Sequence, residues 1–390
     1  MNGDFKRIPA WRLLTVMLVS LSATAHAAPA RPAGEVPLTG VVERYVVIDN
    51  VCAWPNLTVL RDGTIVAAIF NRPSHGLEEG SVEAWASPDG RFWEKRGVPA
   101  PNDPSTNRMN IAAGLAGNGD LIVLCSGWKN LPKPGQSRRA SFSDSVLSTW
   151  VCRSSDGGRT WTQSKDNPEF SPANTPKGWS AYVPFGDILP GADGALHTTF
   201  YTNQDVSPET PKARPVRQVW HFRSDDDGRT WRRNGMLSPD HNETSLLHLQ
   251  GKNWLAVARQ TWMGGVDEAR PMRLFRSSDD GETWTGLQNV TGHLEINVHL
   301  IHLRDGRILM TYGNRVEGAY GVLAKFSSDE GRTWSVPIRL ADSAASDCGY
   351  PSSVQRPDGT VVTAHYTKKA TGHTRYHMAV VIWTPPGTSL

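Results

Sequence analysis

The sequence predicts an all-β chain folded as a six-bladed β-propeller, and three observations predict it. A short turn motif recurs along the chain at blade-sized intervals. An apolar hairpin precedes each copy, with one hairpin left over. The composition (36 Gly, 27 Pro and 15 Trp) suits many short strands joined by turns.

The motif reads SPDGRFW (Ser87 to Trp93), SSDGGRTW (Ser154 to Trp161), SDDDGRTW (Ser224 to Trp231), SSDDGETW (Ser277 to Trp284) and SSDEGRTW (Ser327 to Trp334). Successive Trp residues stand about 50 to 70 residues apart, enough for one four-stranded blade each. The Asp carboxylate and Ser hydroxyl can bond nearby backbone N–H groups. Gly takes the turn conformation that other residues avoid, and Trp anchors the turn on the blade. Asp156, Asp226, Asp279 and Asp329 therefore read as structural, not catalytic.

The hairpins run near Leu57–Phe70, Ile111–Leu124, Tyr182–Tyr201, Thr244–Arg259, Asn297–Tyr312 and Ser352–Tyr366. The last has no box after it. Tyr376 to Trp383 supplies its third strand, and Val41 to Ile48 from the N-terminal side supplies the fourth. That exchange closes the ring and removes an exposed edge. The regular box spacing argues against a β-sandwich.

The first residues read as a leader. Lys6, Arg7 and Arg12 precede a short apolar run from Leu13 to Ala23, and Ala25-His26-Ala27 fits a cleavage site. The expected organisation is a secretory signal over 1–27, a linker over 28–37 and the propeller over 38–390, in a secreted or periplasmic protein. The 41 basic and 38 acidic residues are spread along the chain, so nothing marks a nucleic-acid partner, and no later apolar run marks a membrane span in the mature form. Export permits disulfides among the four cysteines. Cys52 with Cys348, and Cys125 with Cys152, are the two pairings left open. No C-x-x-C spacing exists, and His299 and His302 point to opposite faces of a strand, so no metal and no cofactor are expected.

In each blade the start of the first strand and the end of the second lie on one face, near the axis. Starts give Trp54, Asn107/Arg108, Glu243 and Tyr350. Ends give Arg72, Arg259, Arg315 and His365, and the loop after Arg72 adds His75, Glu78 and Glu79. Arginine suits the carboxylate of a sugar.

Boxes, hairpins and leader together resemble the bacterial exo-sialidase superfamily, whose repeat is the Asp-box, over about residues 40–385. Members carry a Tyr nucleophile activated by a Glu, an anion-binding arginine triad and a separate Asp acid. ETSLLHLQGKNWLAVAR resembles the segment that supplies the Glu and the second arginine, which gives Glu243 and Arg259 those roles. TYGNR points to Arg315 as the third arginine, and GYPSSVQRPDGT points to Tyr350 as the nucleophile.

The resemblance departs at two places. Ala53-Trp54-Pro55 stands where the family has its first arginine, and the Arg7-Ile8-Pro9 copy of that motif lies in the leader. Arg72 or Arg108 would fill the gap, with Trp54 beside the substrate. The loop RPSHGLEEGS has no Asp for the acid, which leaves Glu79, Glu78 or His75. The expected activity is hydrolysis of a terminal, acidic sugar from an oligosaccharide or glycoconjugate by Tyr350 and Glu243. Two alternatives stay open. One is a lyase on uronate-containing glycans, with His75 or Tyr350 as base. The other is a non-catalytic glycan-binding propeller using Trp54, Trp128 and Trp179.

Overall fold

The computed structural model describes residues 35–38, 42–131, 143–171, 174–205, 216–260, 271–370 and 372–387. The expected signal segment lies outside them. Where described, the boxes fold as their residue types dictate. Ser224 Oγ donates to Asp226 Oδ1 at 2.8 Å and accepts from Gly228 N at 2.8 Å. Asp226 also accepts from the backbone N–H groups of Arg229 and Thr230 and from the Thr230 hydroxyl, at 3.1, 2.8 and 2.6 Å. Trp231 Nε1 closes the turn on Gly228 O at 3.2 Å. The same ring of bonds surrounds Asp156, Asp279 and Asp329. Gly228 sits at φ +80°, and a Cβ there would lie 2.3 Å from Ile122 Cδ1, so only glycine fits the turn against its neighbour.

The strands form antiparallel meanders in chain order. A two-residue strand, β1 (Val36–Pro37), and β2 (Val42–Asp49) come first. Then β3 (Cys52–Val59), β4 (Ile65–Phe70), β5 (Val82–Ser87) and β6 (Glu94–Ala100) make one sheet. An eight-stranded sheet holds two meanders. The first is β7 (Asn107–Leu115), β8 (Leu121–Trp128), β9 (Val146–Ser154) and β10 (Thr162–Ser164). The second is β11 (Val183–Pro190), β12 (Leu196–Asn203), β13 (Arg217–Ser224) and β14 (Arg232–Ser238). Then come β15 (His241–His248), β16 (Trp254–Gln260), β17 (Arg273–Ser277) and β18 (Thr285–Asn289). They are followed by β19 (Glu295–His302), β20 (Ile308–Asn314), β21 (Gly321–Ser327) and β22 (Ile338–Asp342). The last sheet is β23 (Gly349–Gln355), β24 (Val361–Ala370) and β25 (His373–Trp383), completed by β2.

The first strands pack in sequence, β3 on β7, β7 on β11, then β15, β19 and β23, and β23 returns to β3. This is a β-propeller arrangement. Its inner faces are apolar: Ala67, Ile69, Ala112, Leu124, Ala256 and Met310 are buried between meanders. β2 pairs antiparallel with β25 from Val42↔Trp383 to Asp49↔His377. Val36–Pro37, within the stretch expected as linker, instead pairs parallel with β22. Glu35 there forms a buried ion pair with Arg339 at 2.7 Å. Among the described residues, no helix is long and apolar enough to cross a membrane.

Neither of the two disulfides left open is present. Cys125 and Cys152 are free thiols on adjacent strands. Their register places Cys152 opposite Val123 and Cys125 opposite Trp150. That diagonal offset separates them by about 7–8 Å, more than a disulfide spans. Burial pushes the Cys125 thiol up to about 12, against the pull of Arg108. Cys348 is a free thiol as well, and its Sγ faces Asn314 O at 3.8 Å, so it does not bridge to Cys52.

Because the Asp226 carboxylate caps its own turn, Asp226→Ala should lower stability by about 1–2 kcal/mol in urea denaturation. Any turnover the protein supports should be unchanged, as expected of a structural Asp.

Candidate active site

The first strands end their ladders early at one mouth of the ring. Register shifts fall at Cys52/Asn56, Arg108/Asn110, His241/Thr244, Ile296/Val298 and Gly349/Ser352, near the start of β3, β7, β15, β19 and β23. Bulges of this kind re-aim side chains. Trp54 and Tyr350 are turned further, at φ +52° and +50°. Each precedes a proline and follows a cysteine by two residues. Bulky residues rarely adopt this conformation. It brings their rings together, with centroids 5.3 Å apart.

Two clusters of similar composition face each other here. In the first, Tyr350 donates its hydroxyl proton to Glu243, at 2.9 Å from Oε2 and 3.1 Å from Oε1. Arg259 donates from one terminal nitrogen both to Glu243 Oε2 at 2.5 Å and to the Tyr350 hydroxyl at 2.7 Å. Asn297 adds a donor to Glu243 at 3.0 Å. In the second, Tyr366 donates to Asp347 Oδ1 at 2.6 Å. Arg315 reaches the Tyr366 hydroxyl at 2.5 Å and Asp347 Oδ1 at 3.3 Å. The other oxygen of Asp347 takes Tyr376, and it holds His75 Nδ1 at 3.2 Å and Lys368 at 4.0 Å. The Tyr350 and Tyr366 rings lie 5.7 Å apart. Trp54 meets His75 edge-on at 5.2 Å.

The electrostatics follow from these partners. Burial alone would raise the Glu243 carboxyl. The charge and hydrogen bonds of Arg259, with Asn297 and Tyr350, outweigh it and hold Glu243 below its ordinary range. Burial pushes the Tyr350 phenol above its ordinary value although Arg259 opposes it. Asp347, also penalised by burial, is held well below the carboxylate range by His75, Tyr366 and Tyr376. The arrangement therefore pairs a protonated phenol with an ionised carboxylate that can accept its proton.

Six of the residues expected at this mouth are brought together: Tyr350, Glu243, Arg259, Arg315, Trp54 and His75. Three are not. Arg108 is buried on the blade face, its guanidinium 3.7 Å from the Trp150 ring and bonded to Ser148 O at 2.8 Å. Glu79 is exposed beside Ser105, Thr106 and Lys129, because Gly80 is bridged to Asn107 and draws the loop end toward the second meander. Arg72 is exposed and spends its Nε on Glu79 O at 3.0 Å. Glu78 is exposed and pairs with Arg375 at 3.1 Å. His365 is buried by strand alternation, and its neighbour Tyr366 takes the mouth. Trp128 is a core residue, not a stacking platform.

Sequence reasoning missed Asp347, Asn297, Tyr366, Tyr376 and Lys368. Asp347 stands three residues before Tyr350, and Asn297 opens a first strand as Glu243 does. Both could have been found by that rule. His299 pairs with Asp187 at 2.8 Å, and His302 bonds His248 O at 2.9 Å. Among the described residues, one group of metal-type donors, Asp193, His197 and Asp280, brings ligand atoms within 4.8 Å of one another. Arg223 bonds both carboxylates at 2.5 Å and already supplies the positive charge there.

A family model described as a BNR repeat-like domain matches residues 136–363. No match is found among curated proteins. Among solved structures, a protein of unknown function from Dyadobacter fermentans is 20% identical, with a TM-score of 0.71 over 88% of this chain and 99% of that one. A Hadza microbial sialidase is 16% identical, with a TM-score of 0.65 over 85% of this chain and 65% of that one. Trypanosoma rangeli sialidase is 16% identical, with a TM-score of 0.64 over 88% of this chain and 60% of that one. The chain thus spans less than two thirds of either sialidase. These likenesses show a shared fold.

The second cluster carries a pH signature. Asp347 titrates lower in the fold than in the unfolded chain, whose value is 3.8. Its contribution to stability is complete above 3.8 and is lost as pH falls toward the folded value. Thermal scans should show wild type melting several degrees above Asp347→Asn near neutral pH. That gap should begin to narrow once the pH falls below 3.8 and keep narrowing as the pH drops further.

Proposed function

The chain belongs to the BNR repeat-like family of the sialidase superfamily, and on that premise we propose that it is a secreted exo-glycosidase that releases a terminal sugar from an oligosaccharide or glycoconjugate. The observation that carries this reading is the Tyr350 hydroxyl held at once by Glu243 at 2.9 Å and Arg259 at 2.7 Å. A phenol is a weak nucleophile until a base takes its proton, and a buried ionised carboxylate in contact with it is such a base.

In this reading the architecture is a six-bladed propeller with five Asp-box hairpins, its last blade closed by β2. The ring of first strands and the β2–β25 ladder support it. Residues 1–27 are the secretory signal, cleaved near Ala27, and the fold proper begins by Glu35. The basic start, the apolar run and the Ala-x-Ala site support export to the periplasm or medium.

The reaction takes two steps. Tyr350 Oη attacks the anomeric carbon while Glu243 accepts the phenolic proton. His75, protonated, gives its proton to the departing glycosidic oxygen. Water then attacks the glycosyl–tyrosine bond, its proton passes to His75, and Tyr350 recovers its proton from Glu243. The His75–Asp347 contact at 3.2 Å supports the acid assignment, because a carboxylate on Nδ1 leaves Nε2 as the nitrogen that exchanges a proton. The ring is 39% exposed, where a leaving group can reach it. A lyase would need an arginine to neutralise a uronate. Arg259 and Arg315 are both already on internal carboxylates, which disfavours it.

On a panel of aryl glycosides, Tyr350→Phe should lose about 10³-fold or more of the wild-type kcat. A Phe variant that keeps wild-type turnover would remove the nucleophile assignment. An increase in ultraviolet absorbance on a polyuronate would favour the lyase instead. His75→Ala should lose about 10²-fold or more on oligosaccharides but little on nitrophenyl glycosides, whose leaving group needs no proton. Because Glu243 is held below the ordinary value of 4.5, the acid limb of kcat/KM that reports it should lie below pH 4.5.

A further inference from the structure

We propose that this mouth selects a neutral terminal sugar and rejects one that carries a carboxylate. The inference rests on the reading of the mouth as the sugar site. An arginine fork already engaged on an internal carboxylate has fewer donors and less uncompensated charge to give a ligand's carboxylate. Among the described residues, each mouth arginine has such a carboxylate. Arg259 is on Glu243 at 2.5 Å and Arg315 is on Asp347 at 3.3 Å. Both arginines are mostly buried, at 12% and 18% side-chain exposure, so neither can swing out to a second anion.

Among the described residues the other cations do not change this, and His75, when protonated, already shares Asp347 at 3.2 Å. Lys368 lies 4.0 Å from Asp347 and donates to the Tyr376 hydroxyl at 3.1 Å. Arg375 is paired with Glu78, Arg72 is turned to Glu79 O, and Arg108 is under Trp150. An incoming carboxylate would have to lie beside Asp347 or Glu243, both ionised. Like charges at that range repel, and burial strengthens the repulsion.

The same groups suit hydroxyls. Asp347 is 24% exposed and can accept from a sugar hydroxyl. Lys368 and His75 around it can donate to one, while Tyr376 has its one hydroxyl proton on Asp347. Trp54, half-buried at the mouth, offers an indole to an apolar sugar face. Asp347 thus fills from within the place that a ligand's carboxylate would occupy on Arg315.

The test measures binding and turnover by the purified protein. The probes are methyl and nitrophenyl glycosides of neutral hexoses, deoxyhexoses and N-acetylhexosamines, set beside the α-sialoside and the glucuronide. Wild type should bind at least one neutral glycoside saturably in calorimetry, and both acidic ones at least tenfold more weakly. Asp347→Asn, which uncovers Arg315, should bind the acidic glycosides at least tenfold more tightly than wild type does. An acidic glycoside bound or cleaved by wild type as well as its best neutral one would overturn the proposal, and so would a failure to bind any neutral glycoside. If Asp347→Asn does not fold, the wild-type ranking decides alone. If neutral sugars bind but none is cleaved, the glycosidase reading fails while the selectivity stands.

Discussion

One guanidinium holds the site together. Arg259 comes from the second strand of the meander that carries Glu243, whereas Tyr350 comes from the last sheet, with β19 between their first strands. A single terminal nitrogen of Arg259 bonds both. Without it Glu243 would be a buried carboxylate beside a buried phenol, and burial would drive the carboxyl to its protonated form. With it Glu243 stays ionised and the phenol keeps its proton. A buried pair of this kind contributes little net stability over an apolar one. What it fixes is geometry: the carboxylate and the phenol are set against each other.

The backbone meets a cost to complete that geometry. Trp54 and Tyr350 occupy the left-handed region at equivalent places in neighbouring sheets, each ahead of a proline. Residues held there cost about 1–3 kcal/mol each and persist where the surroundings over-determine them. The surroundings here are the ladder bulges at the starts of the same strands and the packing of Trp54, Tyr350 and Tyr366 on one another. A regular strand start would alternate these residues between the channel and the blade. The bulge and the positive φ together aim both rings at the mouth.

That same device explains how far the sequence could be read. The boxes were legible because every bond of the turn lies within eight residues, so residue type alone dictates it. Glu243, Arg259, Arg315 and Tyr350 were legible because strand ends at one mouth must converge. Parity was not. His365 and Tyr366 differ by one residue, and the bulges break the alternation that would have chosen between them. Arg108 fell to the blade side for the same reason. Glu79 was lost to a different cause, since one bridge between Gly80 and Asn107 sets the path of its loop. The thiols of Cys125 and Cys152 share a sheet face, but a two-residue register offset separates them, and sequence does not fix register to that precision.

The fold and the chemistry therefore draw on different parts of the chain. The box turns and the apolar first strands specify the ring, and they ask nothing of the side chains at the mouth. A chain only 16% identical to two sialidases can keep the fold over 85% and 88% of its length, which leaves the side chains at the mouth free to vary. Trp54 stands at a strand start where an arginine would add a charge, and Asp347 stands where it cancels one. Neither residue belongs to a box turn. Selectivity on such a frame can change by single substitutions at strand starts, while Glu243, Arg259 and Tyr350 stay coupled because each is buried against the other two.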